Sequence, residues 1–392
     1  MILAYGKQSP GRYRNLDNWA ENVWDRLAQK YKKSAALAAA QDIIPYKSDG
    51  ARWACAPYED DAWWTGGFWP GLMWQLYAAT KQEIFRSEAL RVEARLTKEL
   101  CWFERLYHDV GFMYLLSCGA DWLLNGDRDS KRNLLHAATI LAGRFNLTGG
   151  YIRAWNEDKA GWAIIDSMMN LNLLFWASRE TWDPRFEQIA VRHADTVIRE
   201  FVREDGSCNH IVIFDPDTGK PISKPGGQGY AEGSSWSRGQ AWALYGFTLA
   251  YLHTGLSRYL DTACKIADYF IVNIRPDGLT DCDFRQPAGK DRIDNIAAAC
   301  AACGLIELSR LREVKRPQEY NDAARRMLRA LDTLCADYTD RTPGILQKCT
   351  AAYHDDGAGT HINIVYGDYF YAEALAKLRG CDPMLWMCQK PD

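Results

Sequence analysis

One acidic residue stands alone in an apolar stretch of this sequence, and its position suits proton transfer. Asp166 is the only charged residue of IIDSMMNLNLLFWA (164–177), a stretch that predicts the start of a helix that is apolar on nearly every side. A carboxyl group there either caps the helix or has its pKa raised by desolvation, so that it holds a proton near neutral pH. Aromatic loops on both sides of Asp166 favour the second interpretation.

A second carboxyl group, that of Asp109 in HDVGF, shows the same ambiguity between a helix cap and a catalytic acid. Hydrolysis of glycosidic bonds commonly uses two carboxyl groups, one as an acid and the other as a base or stabilising group. Asp166 and Asp109 are therefore predicted catalytic residues if one end of the fold brings their loops together. The other loop acids predict simpler roles: Asp60 and Asp61 solvated or capping positions, Asp215 a turn, and Asp121 and Asp127 surface charge.

The loops hold more aromatic residues than an ordinary connection needs. YEDDAWWTGGFWPG (58–71) places three acids, three tryptophans and three glycines in fourteen positions, and the whole chain contains 16 Trp, 20 Tyr and 13 Phe. Such a segment is too polar for a core and too aromatic for a plain loop. It predicts a surface that stacks on flat or ring-shaped ligands.

A second group of polar and aromatic residues surrounds the segment GGQGYAEGSSWSRGQAWALYGF (226–247). Its arginine lies near a predicted helix N-terminus and offers a two-pronged match to a carboxylate. The alternative places the arginine on the surface and the tryptophans in the core. The group comprises His210, Gln228, Trp236, Arg238 and Trp242.

Helices must position these residues, because apolar residues recur at helical spacing almost throughout and alternating strand patterns are scarce. The periodicity predicts an all-α protein. It indicates about twelve helices, near residues 16–33, 68–80, 83–105, 111–125, 130–145, 165–179, 185–203, 237–254, 256–274, 294–312, 317–338 and 368–379.

A weak internal repeat groups these helices into pairs. An aromatic residue followed four positions later by alanine opens four of them, as in Phe85 with Ala89, and Leu134 with Ala138 is a degenerate fifth copy. The repeat predicts six stacked helix pairs, which either close into an (α/α)6 toroid or form an open solenoid. Closure is favoured because the Gly- and Trp-rich loops fall at the same phase of successive pairs. No linker divides the chain, so residues 1–392 are predicted as a single domain.

Composition excludes several classes of function. Apolar residues make up 47% and charged residues 25% of the chain, and the net charge of −3 disfavours nucleic acid as a partner. No apolar run approaches the length of about 20 residues that crosses a bilayer, and the N-terminal apolar stretch is too short for a signal sequence. These features predict no membrane partner and a cytoplasmic location.

The twelve cysteines lie mostly in apolar helical patterns, which suit reduced thiols better than a disulfide framework. The single CxxC, Cys300 to Cys303, stands alone in NIAAACAACGLIEL. It predicts small residues packed along one helix face rather than a metal or redox site.

Four ordered motifs, WTGGFWPG, HDVGF, IIDSMMNLNLLFWA and SSWSRGQAWALYGF, together resemble the unsaturated glucuronyl hydrolases, family eighty-eight of the glycoside hydrolases. The resemblance runs from about residue 15 to the YGDYFYAEAL segment near residue 375. It implies an (α/α)6 barrel that uses no metal or organic cofactor. It also implies removal of the 4,5-unsaturated uronic acid from the non-reducing end of oligosaccharides cut by polysaccharide lyases.

By position in these motifs, the resemblance makes Asp166 the general acid and base and Asp109 its partner acid. It implies that Asp166 protonates C4 of the enol ether and that Asp109 stabilises the cation shared by C5 and the ring oxygen. Water then adds at C5, and the resulting hemiketal opens and expels the remaining sugar. The implied substrate-binding residues are Trp64, Trp155, His210, Gln228, Trp236, Arg238 and Trp242.

The resemblance also suggests a role for each part of the WTGGFWPG motif. Trp64 would stack on the sugar ring, and the Gly66-Gly67 turn would let the backbone approach the ligand. Phe68, Trp69 and Trp74 would anchor the following helix in the core. No role is predicted for Trp63.

One loop departs from the family pattern. Some members carry Ser and Lys that read substrate sulfate before the final Gly-Asp-Tyr, whereas this chain has HDDGAGTHINIVYGDY with Asp355 and Asp356. The departure predicts a preference for unsulfated or less sulfated disaccharides.

Three other functions stay open from the sequence alone. An unsaturated rhamnogalacturonyl hydrolase would have a similar fold and reaction but act on pectin fragments. A sugar 2-epimerase-like toroid would need a pair of histidines, and only His210 lies in an aromatic, glycine-flanked loop. A non-catalytic oligosaccharide-binding module would gain nothing from Asp166 in an apolar setting.

Overall fold

Helices make up most of the computed structural model, which describes residues 18–57, 60–355 and 357–389. They are α1 (Asn18–Gln41), α2 (Phe68–Thr80), α3 (Glu83–Glu99), α4 (Val110–Tyr114), α5 (Ala120–Asn125), α6 (Arg128–Gly143), α7 (Ser167–Thr181), α8 (Pro184–Glu200), α9 (Ser237–Thr254), α10 (Ser257–Val272), α11 (Asn295–Arg310), α12 (Pro317–Leu334) and α13 (Val365–Arg379). Short 3-10 helices cover Trp64–Gly67 and Leu100–Arg105, and a π-helical turn, Leu115–Gly119, joins α4 to α5. The predicted helix start at residue 16, the N-terminal segment and Asp356 lie outside the described residues.

The helices alternate along the chain between an outer and an inner layer. The outer helices α1, α3, α6, α8, α10 and α12 each bury one face, whereas α7, α9, α11 and α13 of the inner layer are buried along nearly their whole length. The inner helix α13 packs on α2 through Phe68, whose ring centroid lies 5.4 Å from that of Tyr369 and 5.7 Å from that of Phe370. This contact closes the ring, and the predicted (α/α)6 toroid is confirmed.

Residue size explains how the two layers fit together. The inner helix α11 is rich in small residues, and both Cys300 and Cys303 on it are fully buried, as the packing interpretation of the CxxC predicted. The aromatic residues and alanines of the sequence repeat, such as Phe85 and Ala89 on α3, are also buried. They form the apolar stripes by which the outer helices pack on the inner ring.

The connections differ sharply between the two ends of the ring. Two residues join α2 to α3, α5 to α6, α7 to α8 and α9 to α10 at one end. The connections that precede the inner helices lie at the other end and are much longer, at residues 42–67, 100–109, 144–166, 201–236, 273–294 and 335–364. This end, called the loop end below, carries the Gly- and Trp-rich segments, as their common phase predicted.

Seven short strands lie in the described parts of these long connections and were not predicted. β1 (Lys47–Asp49) pairs with β2 (Arg52–Ala54), and β3 (Phe145–Asn146) pairs with β4 (Tyr151–Ile152). β5 (Trp162–Ile164), β6 (Ile211–Phe214) and β7 (Pro221–Ser223) form a three-stranded antiparallel sheet. This sheet joins two loops that belong to different helix pairs.

Two helix ends differ from the periodicity-based prediction by more than four residues. The first helix continues to Gln41 because its alanine-rich second half favours helix without supplying large apolar residues. The helix predicted over 83–105 ends at Glu99, and the 3-10 helix that follows contains Trp102 in a non-helical conformation. Among the described residues, no helix combines the length and the apolar character that a membrane span requires.

Candidate active site

Asp166 lies where β5 passes into α7, and its side chain is buried, with the residue 7% exposed. It occupies the N-cap position of α7, yet its carboxylate makes no capping hydrogen bond, so the cap interpretation is wrong. One carboxylate oxygen, Oδ2, has no hydrogen-bond partner among the described residues. That oxygen is therefore left unsatisfied by the described part of the chain.

The three-stranded sheet brings His210 to Asp166. Ile164 of β5 pairs with Ile211 of β6, and the Ile165 N–H donates to the His210 carbonyl oxygen at 3.0 Å. This register places His210 Nε2 at 3.6 Å from Asp166 Oδ1. Residues that are 44 positions apart in the sequence thus become neighbours.

The loop that carries Gln228 orients the His210 ring. The Gln228 backbone N–H donates to His210 Nδ1 at 3.0 Å, which leaves the proton of a neutral imidazole on Nε2, facing Asp166. Gly227 is required for this approach, because its φ is +59° and a Cβ there would lie 2.2 Å from Nδ1. The Gln228 side chain donates in turn to the Ala351 carbonyl oxygen at 2.8 Å.

Asp109 is buried beside the same helix start. It is 8% exposed and, like Asp166, occupies an N-cap position without forming a side-chain cap, so the cap interpretation is wrong here too. His108 lies between the two helix starts, because its Nε2 is 3.2 Å from Asp109 Oδ1, without hydrogen-bonding geometry, and its Nδ1 shares a 2.8 Å hydrogen bond with the hydroxyl of Ser167, the residue after Asp166. The structure therefore brings both predicted catalytic carboxyl groups to the N-terminal ends of two inner helices, α4 and α7.

Aromatic rings form the walls of this region. Trp64 is half-buried, with its ring centroid 5.0 Å from that of Tyr366 and 5.6 Å from that of Phe112. Trp155 is also half-buried and meets Trp162 edge to face at 5.8 Å. Both residues, which were predicted to bind substrate, therefore keep part of their surface exposed at the loop end.

The two other predicted tryptophans lie deeper. Trp236 is 3% exposed and its ring centroid lies 4.4 Å from that of His210. Trp242 is 1% exposed and packs between Phe112, at 5.2 Å, and Phe370, at 5.4 Å. Trp242 thus lies in the layer that supports the site walls.

Arg238 is completely buried, and its terminal nitrogens are already occupied. Nη1 donates to Asp294 Oδ2 at 3.0 Å and to the Thr350 carbonyl oxygen at 2.9 Å, and Nη2 donates to the Ala351 carbonyl oxygen. The expected two-pronged match to a ligand carboxylate is therefore wrong, since the protein itself uses both prongs. The Nε atom alone has no hydrogen-bond partner within the described part of the chain.

The Arg238 cation is held in place by rings as well as by charge. Its guanidinium carbon lies 4.7 Å from the ring centroid of Trp236 and 5.3 Å from that of Tyr366. Burial opposes the charge, but the Asp294 carboxylate and neighbouring groups outweigh it and raise the pKa of the guanidinium. Arg238 therefore brings a fixed positive charge to the wall that carries Trp236.

Several other predictions are corrected by the structure. Gly67 does not face a ligand, because a Cβ there would lie 2.1 Å from the Phe112 carbonyl oxygen of α4, and a Cβ on Gly66 would meet Leu96 at 2.9 Å. Close helix packing is thus the reason for this glycine pair. Phe68, Trp69 and Trp74 are fully buried, as predicted.

The loop acids have more defined roles than solvation. Asp61 forms a bidentate ion pair with Arg95 at 2.7 and 2.8 Å rather than a cap. Asp60 accepts from the Ala62 N–H at 2.9 Å and pairs with Arg105. Asp215 accepts from two turn N–H groups, as predicted. Exposed Asp127 also caps α6, whereas Asp121 is 4% exposed, so its prediction as surface charge is wrong.

Some residues that build the site were missed from the sequence. Asp294 fixes Arg238, and Asp283 accepts from the backbone N–H groups of Tyr230 and Ser235 at 2.9 and 3.0 Å. His108 is the most readily predictable of them, because it directly precedes Asp109 in the HDVGF motif. Asp283 and Asp294 act on loops distant in sequence, which no local pattern reveals.

Comparisons with known proteins identify the family. No family model matches the sequence. The chain is 35% identical to the unsaturated glucuronyl hydrolase of Bacillus sp. (strain GL1) over 373 residues, which cover 92% of this chain and 96% of that protein. The chain belongs to the unsaturated glucuronyl hydrolases.

Two further relatives of this unsaturated glucuronyl hydrolase are informative. An unsaturated chondroitin disaccharide hydrolase of Streptococcus pneumoniae (strain ATCC BAA-255 / R6) is 35% identical over 332 residues, covering 82% of this chain and 83% of that protein. A solved structure of an unsaturated glucuronyl hydrolase variant with dGlcA-Glc-Rha-Glc superposes with a TM-score of 0.87 at 32% identity, covering 94% of this chain and 98% of that one.

Proposed function

We propose that this chain removes the 4,5-unsaturated glucuronic acid from the non-reducing end of lyase-generated oligosaccharides, by hydrating the enol ether double bond. The observation that carries the proposal is the buried Asp166, whose Oδ2 has no partner among the described residues and whose Oδ1 faces His210. A tetrasaccharide that begins with an unsaturated glucuronic acid occupies the solved relative, so we include chains longer than disaccharides among the substrates.

In the proposed reaction Asp166 acts first as the acid. Its carboxyl group transfers a proton to C4, and positive charge develops on C5 and the ring oxygen. Asp109 stabilises that charge from the start of the neighbouring inner helix. Ionised Asp166 then takes a proton from water as the water adds to C5. The resulting hemiketal opens, and the remaining sugar leaves with a hydroxyl group.

His108 and His210 position these two carboxyl groups. His108 lies against Asp109 and hydrogen-bonds the Ser167 hydroxyl, which holds the start of α4 beside the start of α7. His210 presents Nε2 to Asp166 because the Gln228 N–H occupies its Nδ1. We propose that His210 and Gln228 also bind hydroxyl or carboxylate groups of the substrate beside Asp166.

The rings supply the remaining proposed substrate contacts. Half-buried Trp64 and Trp155 would stack on sugar faces, and buried Trp236 has an indole N–H without a partner among the described residues. Arg238 would meet the uronate carboxylate through its unpartnered Nε, and its charge attracts that group. We propose that Trp242 supports the site from the layer below.

Loss of ultraviolet absorbance by an unsaturated disaccharide tests the reaction and the acid together. The wild type should bleach the conjugated alkene, and Asp166→Asn should lower kcat by about 100-fold to 10,000-fold. Asp158→Asn changes an exposed acid of the same long connection and should keep wild-type kinetics. Full activity in Asp166→Asn would remove it as the acid.

A substrate panel separates the proposal from its rivals. Glucose-linked or hexosamine-linked unsaturated disaccharides should be hydrolysed by the wild type. Turnover of rhamnose-linked pectin fragments alone would identify a rhamnogalacturonyl hydrolase instead. Binding without bleaching on any fragment would identify a carbohydrate-binding protein.

We propose a preference for unsulfated substrates from the charge of the 335–364 loop. Burial, and then the carboxylate of Asp355, raises the pKa of Tyr46, while nearby Arg238 lowers it. Tyr46 meets Trp63, the residue before Trp64, edge to face at 6.4 Å, so Asp355 acts electrostatically close to the Trp64 loop, where it would repel sulfate. The wild type should turn over an unsulfated disaccharide faster than its sulfated counterpart. Asp355→Asn should reduce the difference between the two turnover rates. Faster turnover of the sulfated compound would contradict this preference.

We also propose a cytoplasmic location and a single catalytic domain. None of the twelve cysteines, all of which lie within the described residues, forms a disulfide, and this supports a reducing compartment. Closure of the ring leaves the long connections at one end, which supports one catalytic unit. Fractionation of the source cells would test the location, and limited proteolysis would test the domain.

A further inference from the structure

Two exposed aromatic side chains at the loop end are not used by the proposed reaction. Trp102 is 60% exposed and Phe103 is 59% exposed, in the connection that leads from α3 to Asp109. Trp102 interrupts the 3-10 helix Leu100–Arg105 with φ −114° and ψ 48°. Large rings that remain in water at such a position commonly mark a binding surface.

Polar contacts fix this connection between two loops of the candidate site. Arg105 pairs with Glu99 at 2.9 Å and with Asp60, which lies just before the Trp63-Trp64 pair. These ion pairs fix the connection 100–109 beside the Trp64 loop. The exposed rings therefore belong to a segment whose position is fixed by side-chain contacts.

The other side of the connection is tied to the Trp155 loop. Asn156 Nδ2 donates to the Glu104 carbonyl oxygen at 2.8 Å, and Arg144 Nη1 donates to Asn156 Oδ1 at 2.8 Å. Asn156 directly follows Trp155, and Glu104 directly follows Phe103. The connection that carries the exposed rings is therefore held against the Trp155 loop as well as the Trp64 loop.

We propose that Trp102 and Phe103 form an outer platform that binds the sugar units beyond the one attached to the unsaturated residue. The proposal rests on the proposed function, in which longer chains are substrates. Sugar rings present apolar C–H faces, so aromatic side chains can bind them with little dependence on sequence or charge. The contacts that hold the platform against the Trp64 and Trp155 loops place it beside the candidate active site, which favours the saccharide substrate over a second protein copy as its occupant.

Comparison of two substrate lengths tests the platform. The absorbance assay would measure KM for an unsaturated disaccharide and for the tetrasaccharide dGlcA-Glc-Rha-Glc. The double variant Trp102→Ala with Phe103→Ala should raise the tetrasaccharide KM by about threefold to tenfold. Its disaccharide KM should stay at the wild-type value, because a disaccharide ends before the platform.

Trp182 provides a matched control. It is 90% exposed in the turn between α7 and α8, at the end of the ring opposite the loop end. Trp182→Ala should leave both KM values unchanged. An equal change for both substrates in the double variant, or no change for either, would overturn the platform. So would an altered oligomeric state in the double variant with an unchanged ratio of KM values.

Binding measurements keep the platform and the proposed function separate. If the wild type bleaches neither substrate, the proposed function fails, and calorimetry with the tetrasaccharide then decides the platform. The double variant should bind that tetrasaccharide about threefold to tenfold more weakly than the wild type. Equal binding by the two proteins would refute the platform.

Discussion

Burial of Glu93 on α3 shifts its titration into the neutral pH range, which allows a quantitative test of the fold. The residue is 6% exposed, and burial, together with the nearby charge of Asp121, raises the pKa of its carboxyl group to about 7. The Ser130 hydroxyl lies 2.6 Å from Glu93 Oε1 and 3.0 Å from Asp121 Oδ2. One hydroxyl proton cannot serve two carboxylates, so a second proton completes the arrangement.

The sign of the pH effect follows from the raised pKa. The folded protein holds the Glu93 proton to a higher pH than the unfolded chain, in which the pKa is near 4.5. The contribution of Glu93 to stability is therefore greatest below pH 4.5 and falls as the pH rises toward 7. A shift of about 2.5 pH units corresponds to about 3 kcal/mol of unfolding free energy, lost once Glu93 ionises in the folded protein.

Glu93→Gln removes this titration and keeps a group that can accept from Ser130. Denaturant unfolding, followed by tryptophan fluorescence, would compare the variant and the wild type at pH 5 and pH 8. Between these values the wild type should lose about 2–3 kcal/mol more stability than the variant. Glu83→Gln changes an exposed acid on the same helix and should keep the wild-type pH dependence. The same pH dependence in Glu93→Gln and the wild type would refute the reasoning.

Three further experiments test the site walls and the core. Asp294→Asn leaves the Arg238 charge buried without its carboxylate, and denaturant unfolding should show a loss of about 3–5 kcal/mol; an unchanged midpoint would contradict the ion pair. Trp64→Ala should raise KM more than it lowers kcat in the absorbance assay, and unchanged kinetics would remove Trp64 from the site. A thiol reagent should modify exposed Cys101 in the native protein and Cys300 only after denaturation, because burial raises the pKa of that thiol. Native labelling of Cys300 would contradict its packing.

The ring of helices could be predicted from the sequence because the spacing of apolar residues within each helix reveals it. Outer helices repeat an apolar stripe, as at Phe85 and Ala89, and inner helices are apolar on all sides, as around Cys300. The two proposed catalytic acids were selected from the sequence for a related reason. Asp166 and Asp109 each stand at the start of an apolar helix. A charged group at such a position is costly and indicates a function, whereas an acid in a solvated loop does not.

The parts that could not be predicted depend on contacts between distant segments. The pairing of Ile164 with Ile211 uses strands of three and four residues, too short to produce an alternating pattern. Asp121 looked like surface charge because its partner Glu93 lies on the preceding outer helix. The two terminal nitrogens of Arg238 are occupied by Asp294 and by carbonyl groups of the 335–364 loop, so only the folded chain shows that they cannot form a bidentate pair with a ligand.

The unpartnered polar atoms of the site provide an energetic reason to expect a ligand. Asp166 Oδ2, His210 Nε2 and Trp236 Nε1 are buried without hydrogen-bond partners in the described residues. A buried polar atom without a hydrogen bond lowers folding stability by about 1–3 kcal/mol. Three such atoms on neighbouring side chains therefore destabilise the folded protein substantially. An acceptor and two donors at one place match the hydroxyl and carboxylate groups of a uronic acid. The substrate would therefore complete the hydrogen bonding that the folded chain leaves open.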